Sequence, residues 1–187
     1  MHEPEAEARL ATYEELIARF GPRLDLISPR DLVRVRTRHI DDSLRALPLV
    51  AAAPPGPAVD VGSGAGLPGI PLAIADPTRH WRLLEPRERR AAFLEEAVRT
   101  LELDCEVSRM SADQAARTEG WAEAHAIATA RALAPPERSF ELLYPLMTRT
   151  GIAIVFAGTS APVIPETRVF DGTILYGGRN AGERADG

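Results

Sequence analysis

The chain has no lysine. All 22 basic side chains in its 187 residues are arginine, which excludes Schiff-base chemistry, a lysine base and the lysine of a phosphate-cradling P-loop. A single cysteine, Cys105, excludes an intrachain disulfide, and it lies in a short strand-like run with no cationic neighbour to activate it. Aromatic residues make up only 5% of the chain, so base recognition, if any, must come from a pocket rather than from stacking on the surface. Positive charge is not in excess either. A net charge of −5 excludes a protein that coats nucleic acid or anionic lipid by bulk charge, and any basic site must be local.

No apolar run approaches membrane-spanning length, and the N-terminus has no charged start followed by an apolar stretch. The expectation is a cytoplasmic protein with no membrane partner. His2, His39, His80 and His125 show no metal-ligand spacing, and no Ser-His-Asp set or catalytic carboxylate pair stands out, so no metal is expected.

What the chain does have is a bare backbone at "AVDVGSGAGLPGIPLAIA", Ala58 to Ala75, where an apolar run ends and Gly62, Gly64, Gly66 and Gly69 fall within eight residues. Glycines there let a strand turn sharply into a helix and let a ligand approach the main chain with no Cβ in the way. Gly64-Ala-Gly66-Leu-Pro-Gly69 has the form of a dinucleotide fingerprint, with Glu85 following 19 residues after Gly66. Two features turn the reading towards S-adenosylmethionine. Asp60 sets a carboxylate where a pyrophosphate would be repelled and a sulfonium tolerated, and 187 residues leave no room for a dehydrogenase's second domain. Glu85 serves either cofactor through ribose hydroxyls.

Apolar residues at three- and four-residue steps predict a helix from Glu5 to Phe20, ended by Gly21-Pro22, and a second over Asp31–Val50, with Ala51 to Pro57 an irregular connection. Strand-like runs then alternate with helix-like ones. The strands are expected at Ala58–Val61, Trp81–Leu84, Cys105–Ser108, Ala126–Ala130 and Ile152–Phe156, and the helices near Pro68–Ala75, Arg87–Leu101, Ser111–Thr118 and Pro136–Leu146. This is an α/β pattern, an open and mostly parallel sheet with helices on both faces, preceded by two N-terminal helices. Arg168–Phe170 and Thr173–Tyr176 flank Asp171-Gly172, the signal of an antiparallel hairpin at the sheet edge. Trp81 and Trp121 read as packing residues.

Four stretches carry a family likeness: "LDLISPRDLVRVRTRHIDDSL" (Leu24–Leu44), "VDVGSGAGLPGIPLAIA" (Val59–Ala75), "LLEPRERRAAFLEE" (Leu83–Glu96) and "TARALAP" (Thr129–Pro135). In that order, from about Glu14 to Gly158, the chain closely resembles the glucose-inhibited division B proteins. Those are bacterial enzymes that methylate a guanine N7 of small-subunit (16S) ribosomal RNA with S-adenosylmethionine. The resemblance implies the class I methyltransferase (Rossmann-like) fold, with 1–57 a helical extension packed on the core, 58–177 the cofactor-binding core, and 178–187 a flexible tail, together one compact domain working as a monomer.

It also implies the site. Gly62, Gly64 and Leu67 would line the methionine and ribose end of the cofactor with Asp60 beneath them, Glu85 would hold the ribose, and Ala112 and Asp113 would meet the adenine. Arg131 would stand in the crevice shared by cofactor and substrate, and His39, Asp42 and Ser43 match the helix element facing the pocket mouth. A histidine in such a place is equally a capping or packing residue. One departure is plain: where the family ends its fifth strand in Leu-Lys-Gly, this chain has Phe156-Ala157-Gly158.

Seven arginines fall between Arg19 and Arg45, and Arg87, Arg89 and Arg90 follow Glu85. Arg30, Arg34, Arg36, Arg38 and Arg87 are the candidates for contact with ribosomal RNA or the small ribosomal subunit, since guanidinium forks suit phosphate oxygens. The alternative is a solvated helix face paired with Asp25, Asp31, Asp41 and Asp42. Methylation of guanine N7 needs no base, because the atom carries a lone pair and no proton. A methyltransferase of a small, already nucleophilic metabolite, or a cofactor-binding relic without turnover, stays open beside that reading.

Overall fold

The computed structural model describes residues 3–158, 162, 164–165 and 167–178. Five parallel strands form the centre: β1 (Ala58–Val61), β2 (Trp81–Leu84), β3 (Cys105–Ser108), β4 (His125–Arg131) and β5 (Met147–Phe156). Two antiparallel strands, β6 (Arg168–Phe170) and β7 (Ile174–Gly178), extend the sheet in the order β3-β2-β1-β4-β5-β7-β6. The hairpin signal at Asp171-Gly172 is borne out, both residues having the positive φ that a tight strand-joining turn requires. Gly178 closes β7; the remainder of the expected tail, and His2, lie outside the described residues.

The strand centres read as apolar because they are covered on both faces. Val59, Val61, Ala128 and Ala130 face one cluster, with α7 (Ala112–Ala115) and α8 (Pro136–Leu143) over it. Alternate residues face the other side, where α1 (Glu3–Leu24), α5 (Gly69–Ala75) and α6 (Glu88–Thr100) pack. There, Tyr13, Leu16 and Ile17 of α1 share a cluster with Ile70, Leu83 and Leu94. Period-two alternation therefore puts Asp60, Thr129 and Arg131 on the face that meets the N-terminal helices.

The N-terminal half departs from its expected helices. α1 runs through Gly21-Pro22 to Leu24, since a proline in the last turn forfeits only one amide bond and Gly21 is buried where α2 (Pro29–Leu32) presses on it. The single helix expected over Asp31–Val50 is four pieces: α2, a π turn over Arg36–Ile40, α3 (Asp41–Leu44) and α4 (Leu47–Ala52). Ser28 caps α2 ahead of Pro29, and Pro48 starts α4 in its first turn, so proline sets both restarts. α4 also takes up two residues of the expected connection. β5 begins five residues before its expected start, with a register irregularity against β4 between His125 and Ile127.

Candidate active site

The loop between β1 and α5 is held by side chains from three directions. Asp60, fully buried at the end of β1, accepts the Gly69 amide at 3.3 Å on Oδ2 and the Thr129 hydroxyl at 2.7 Å on Oδ1. Thr129 is its register partner on β4, so sheet geometry supplies that bond. Burial pushes the Asp60 carboxyl up to about 6, against the lowering effect of its hydrogen bonds. Asp60 therefore braces the loop from below and does not face the crevice. Above it, Gly62 and Gly66 need glycine for two reasons at once: φ is +71° and +92°, and a Cβ would meet Leu133 Cδ1 at 2.6 Å and Ile70 Cδ1 at 2.5 Å.

Glu85, at the end of β2, is 4% exposed, so it is a buried carboxylate and not a solvated one. Its Oε2 accepts the Gly64 amide at 3.0 Å and its Oε1 the Arg87 amide at 2.9 Å. A carboxylate offers about four acceptor directions, so two remain for a diol. Over Gly64 the backbone is open: a Cβ there would meet nothing nearer than 3.8 Å. Ala112 and Asp113 open α7 beside the end of β3, with Ser111 and Gln114 forming a capping box and the Ala112 side chain buried. Leu67 stays on the loop, but its side chain belongs to the cluster around Tyr13 and Ile70.

Arg131 ends β4 and reaches the N-terminal segment. Its two terminal nitrogens donate to the carbonyl oxygens of His39 and Arg38, both at 3.2 Å, and to His39 Nδ1 at 2.6 Å, and Asp42 Oδ2 lies 3.3 Å away. Guanidinium always donates, so His39 Nδ1 is a lone pair and the ring proton sits on Nε2. That nitrogen is buried with no hydrogen-bond partner among the described residues, 3.9 Å from Asp31 Oδ2. Burial, then the Arg131 charge, holds the His39 pKa below its ordinary value. His39 is thus a neutral ring fixed in one tautomer, the packing role left open by sequence.

Two adjoining cavities, of about 370 and 270 Å³, open around Arg131 and share Asp42, Phe156 and Gly158. Leu133, which touches Gly62, lies between Ala132 and Ala134 of the smaller cavity's wall, so the glycine loop and the cavity are one side chain apart. Ser43 is not brought to them. It is fully buried, and its hydroxyl donates to the His39 carbonyl at 2.6 Å, because the π turn points it inward.

Of the candidate arginines, Arg36 is committed elsewhere, to Glu7 at 2.6 Å and Asp41 at 2.9 Å, tying α1 to the π turn. Arg38 lies 3.5 Å from Asp31. Arg30, Arg34 and Arg87 are exposed, and the first two flank Val33, which is 85% exposed. Burial pushes the Cys105 thiol up to about 12, and Trp81 and Trp121 are buried, so none of the three enters the site. No group of His, Cys, Asp or Glu among the described residues could hold a metal. Sequence reasoning missed Tyr13, whose hydroxyl donates to the Ala65 carbonyl at 2.6 Å, and Arg90, which ties the Asp25 carbonyl to the loop mouth. Their partners lie 52 and 65 residues away, and no local signal marks them.

The family profile described as GidB, rRNA small subunit methyltransferase G, matches residues 6–163. The chain belongs to the GidB family. Among GidB relatives, ribosomal RNA small subunit methyltransferase G of Granulibacter bethesdensis is 41% identical over 158 residues, 84% of this chain and 70% of its own length. That of Frankia casuarinae is 40% identical over 153 residues, 80% of this chain and 56% of its own length. The chain thus spans little more than half of some curated relatives.

Two solved structures are similar in fold. A structural-genomics protein of Corynebacterium glutamicum has a TM-score of 0.61 at 16% identity, over 90% of this chain and 88% of its own. A variant of MtNAS in complex with S-adenosylmethionine has a TM-score of 0.56 at 17% identity, over 92% and 75%. At such identities the likeness bears on the fold alone, which is that of the class I methyltransferases.

Proposed function

We propose that this GidB-family chain transfers a methyl group from S-adenosylmethionine to N7 of a guanine in small-subunit ribosomal RNA. The observation that carries the reading is the glycine loop backed by Glu85 beside a cavity walled by Arg131 and Asp42, in a chain of this family. The residues present fit the cofactor. The open backbone at Gly64, beside Gly62 under Leu133, would take its methionine and ribose end, the spare acceptor directions of Glu85 its ribose, and the start of α7 at Ala112 and Asp113 its adenine. When bound, S-adenosylmethionine supplies the methyl on a sulfonium, the C–S electron pair staying on sulfur as the N7–C bond forms.

The chain's own task is positioning and exclusion of water. Asp60 and Tyr13 hold the loop at Gly69 and Ala65, Arg131 fixes the N-terminal segment as the cavity's wall, and Phe156 with Ala157 closes the side where the family pattern has lysine. His39 contributes no base, its Nδ1 lone pair being taken by Arg131. The segment before residue 58 and the sheet act as one unit in this reading. A ribosomal substrate implies work in the cytoplasm, and the chain is taken to act as a monomer. No helix among the described residues is long and apolar enough to cross a membrane.

The test is labelled methyl transfer to small ribosomal subunits lacking the modification, mapped by chain cleavage selective for N7-methylguanine. A single labelled cleavage site is expected. Cofactor binding by calorimetry without transfer to the subunits would overturn the substrate and leave a small metabolite to be tried.

A further inference from the structure

The proposed reaction leaves open how a guanine is told from the other bases, and the cavity has few groups able to do it. Arg131 is the obvious reader, but its terminal N–H groups are already turned to two carbonyls, His39 Nδ1 and Asp42. Nor can it take N7, the atom that must attack. His39 points its lone pair at Arg131 and its N–H into a buried space. Beside the donors of Thr37, Arg38 and Thr173 in the larger cavity, two carboxylates offer acceptors. Asp31 lines the larger cavity alone, and its Oδ2 takes the Ser28 hydroxyl at 2.8 Å. Asp42 lines both cavities and is part-exposed.

The Asp42 carboxylate is held from behind. Oδ1 takes Arg45 Nη1 at 2.7 Å and Oδ2 faces Arg131 Nη1 at 3.3 Å, and Arg45 is itself anchored to Asp171 at the hairpin turn. Each of the two adjacent oxygens can therefore accept one further hydrogen bond. Around them the smaller cavity is apolar, with Phe156, Ala132, Ala134 and Pro136 in its wall. A slot with an apolar wall and two adjacent acceptors suits a flat heterocycle with two adjacent donors. Of the four RNA bases only guanine has them, at N1–H and the 2-amino group; adenine, cytosine and uracil each set an acceptor beside their donor. That edge lies across the ring from N7, so gripping it leaves the N7 lone pair free.

We infer that Asp42 is the residue that selects guanine, its carboxylate accepting N1–H and the 2-amino group while Phe156 covers the ring. This rests on the reading of the chain as a guanine-N7 methyltransferase. Asp42 touches the substrate base; Arg45 and Arg131 position it.

The experiment compares two RNA substrates, built by ligation into small subunits, that carry guanosine or inosine at the position mapped by N7-selective cleavage. Inosine keeps N7 and N1–H and lacks only the 2-amino group. Wild-type kcat/KM is expected to fall about tenfold or more on inosine, the loss of a hydrogen bond to a charged acceptor. In Asp42→Ala both rates drop and the guanosine-to-inosine ratio shrinks to within about twofold of one. Asp42→Asn, nearly isosteric with one acceptor in place of two, lies between.

A merely structural role for Asp42 would lower both rates and leave the ratio intact, and that result overturns the inference, as does a wild-type ratio near one. Calorimetric binding of S-adenosylmethionine monitors the fold of each variant; if Asp42→Ala fails it, Asp42→Asn decides by the same ratio. Absence of transfer to the guanosine substrate by the wild type overturns the methyltransferase reading and the inference with it. Transfer with an unaltered ratio in the variants overturns the inference alone.

Discussion

Asp60 and His125 are both fully buried and titrate in opposite senses over the same pH range, which gives a sharp test of the loop's architecture. Burial raises the Asp60 carboxyl from 3.8 to about 6. Between those values the folded chain holds a proton that the unfolded chain has released, so stability falls as pH rises. Burial lowers His125 from 6.5 to about 4, where its Nδ1 bonds the Leu146 carbonyl at 2.8 Å. There the unfolded chain binds the extra proton, so stability rises with pH. His39 acts in the second sense, and so do Glu7, Asp31 and Glu96, each held low, at the acid end of the range; all four are common to the wild type and an Asp60 variant.

At about 1.4 kcal/mol per pH unit, the Asp60 and His125 effects are each about 3 kcal/mol and largely cancel in the wild type. Asp60→Asn removes one of them. Its carbonyl can accept the Gly69 amide and its amide can donate to the Thr129 hydroxyl, so the brace survives. Urea unfolding followed by Trp81 and Trp121 fluorescence is expected to show the variant gaining about 3 kcal/mol on the wild type between about pH 4 and 7. Parallel profiles, within about 0.5 kcal/mol, would refute the claim that a buried, proton-holding Asp60 braces the loop.

Gly62→Ala meets both a positive φ and Leu133, so about 1–3 kcal/mol of stability and calorimetric cofactor binding are expected to be lost together. Gly120→Ala, with a positive φ and open space around it, is expected to lose about 1–2 kcal/mol with binding intact. Tyr13→Phe strands the buried Ala65 carbonyl, at about 1–3 kcal/mol, and is expected to weaken cofactor binding with no contact to it; unchanged affinity would remove Tyr13 from the site. Arg30→Ala with Arg34→Ala is expected to reduce the salt dependence of RNA binding by up to about two counterions, whereas Arg36→Ala, paired with Glu7 and Asp41, lowers stability and leaves that slope alone.

The sheet was legible because its signals are local. β1, β2 and β3 fall at the residues expected, the first two short and largely apolar, the third an alternating edge strand between Asp104 and Arg109. The glycine loop and Glu85 were legible for the same reason. The N-terminal segment was not, because Pro22 ends nothing while Pro29 and Pro48 begin helices, and spacing alone does not tell a proline in a last turn from one in a first. Nor did spacing reveal the turn's directions: it grouped Ser43 with His39 and Asp42 and Arg36 with Arg34, and the π turn sends Ser43 inward and Arg36 to Glu7. The contacts that finish the site join residues far apart, Asp60 with Thr129 and Arg131 with His39, and no local pattern encodes those pairs.

Arg131 shows how such a long-range pair builds the cavity. Its surroundings give it more partners than a surface ion pair needs, and they are supplied by a turn whose wider winding presents two successive carbonyls, at Arg38 and His39, to one guanidinium. Burial lowers its pKa and the Asp42 carboxylate opposes that, so charge and hydrogen bonds are spent inside the protein. A guanidinium so occupied serves the site by fixing its wall. The geometry of the cavity is then set by the N-terminal segment as much as by the strand ends. Tyr13 holds the glycine loop from the same side, so through Ala65 and Arg131 the segment before β1 is bonded to both the loop and the cavity wall.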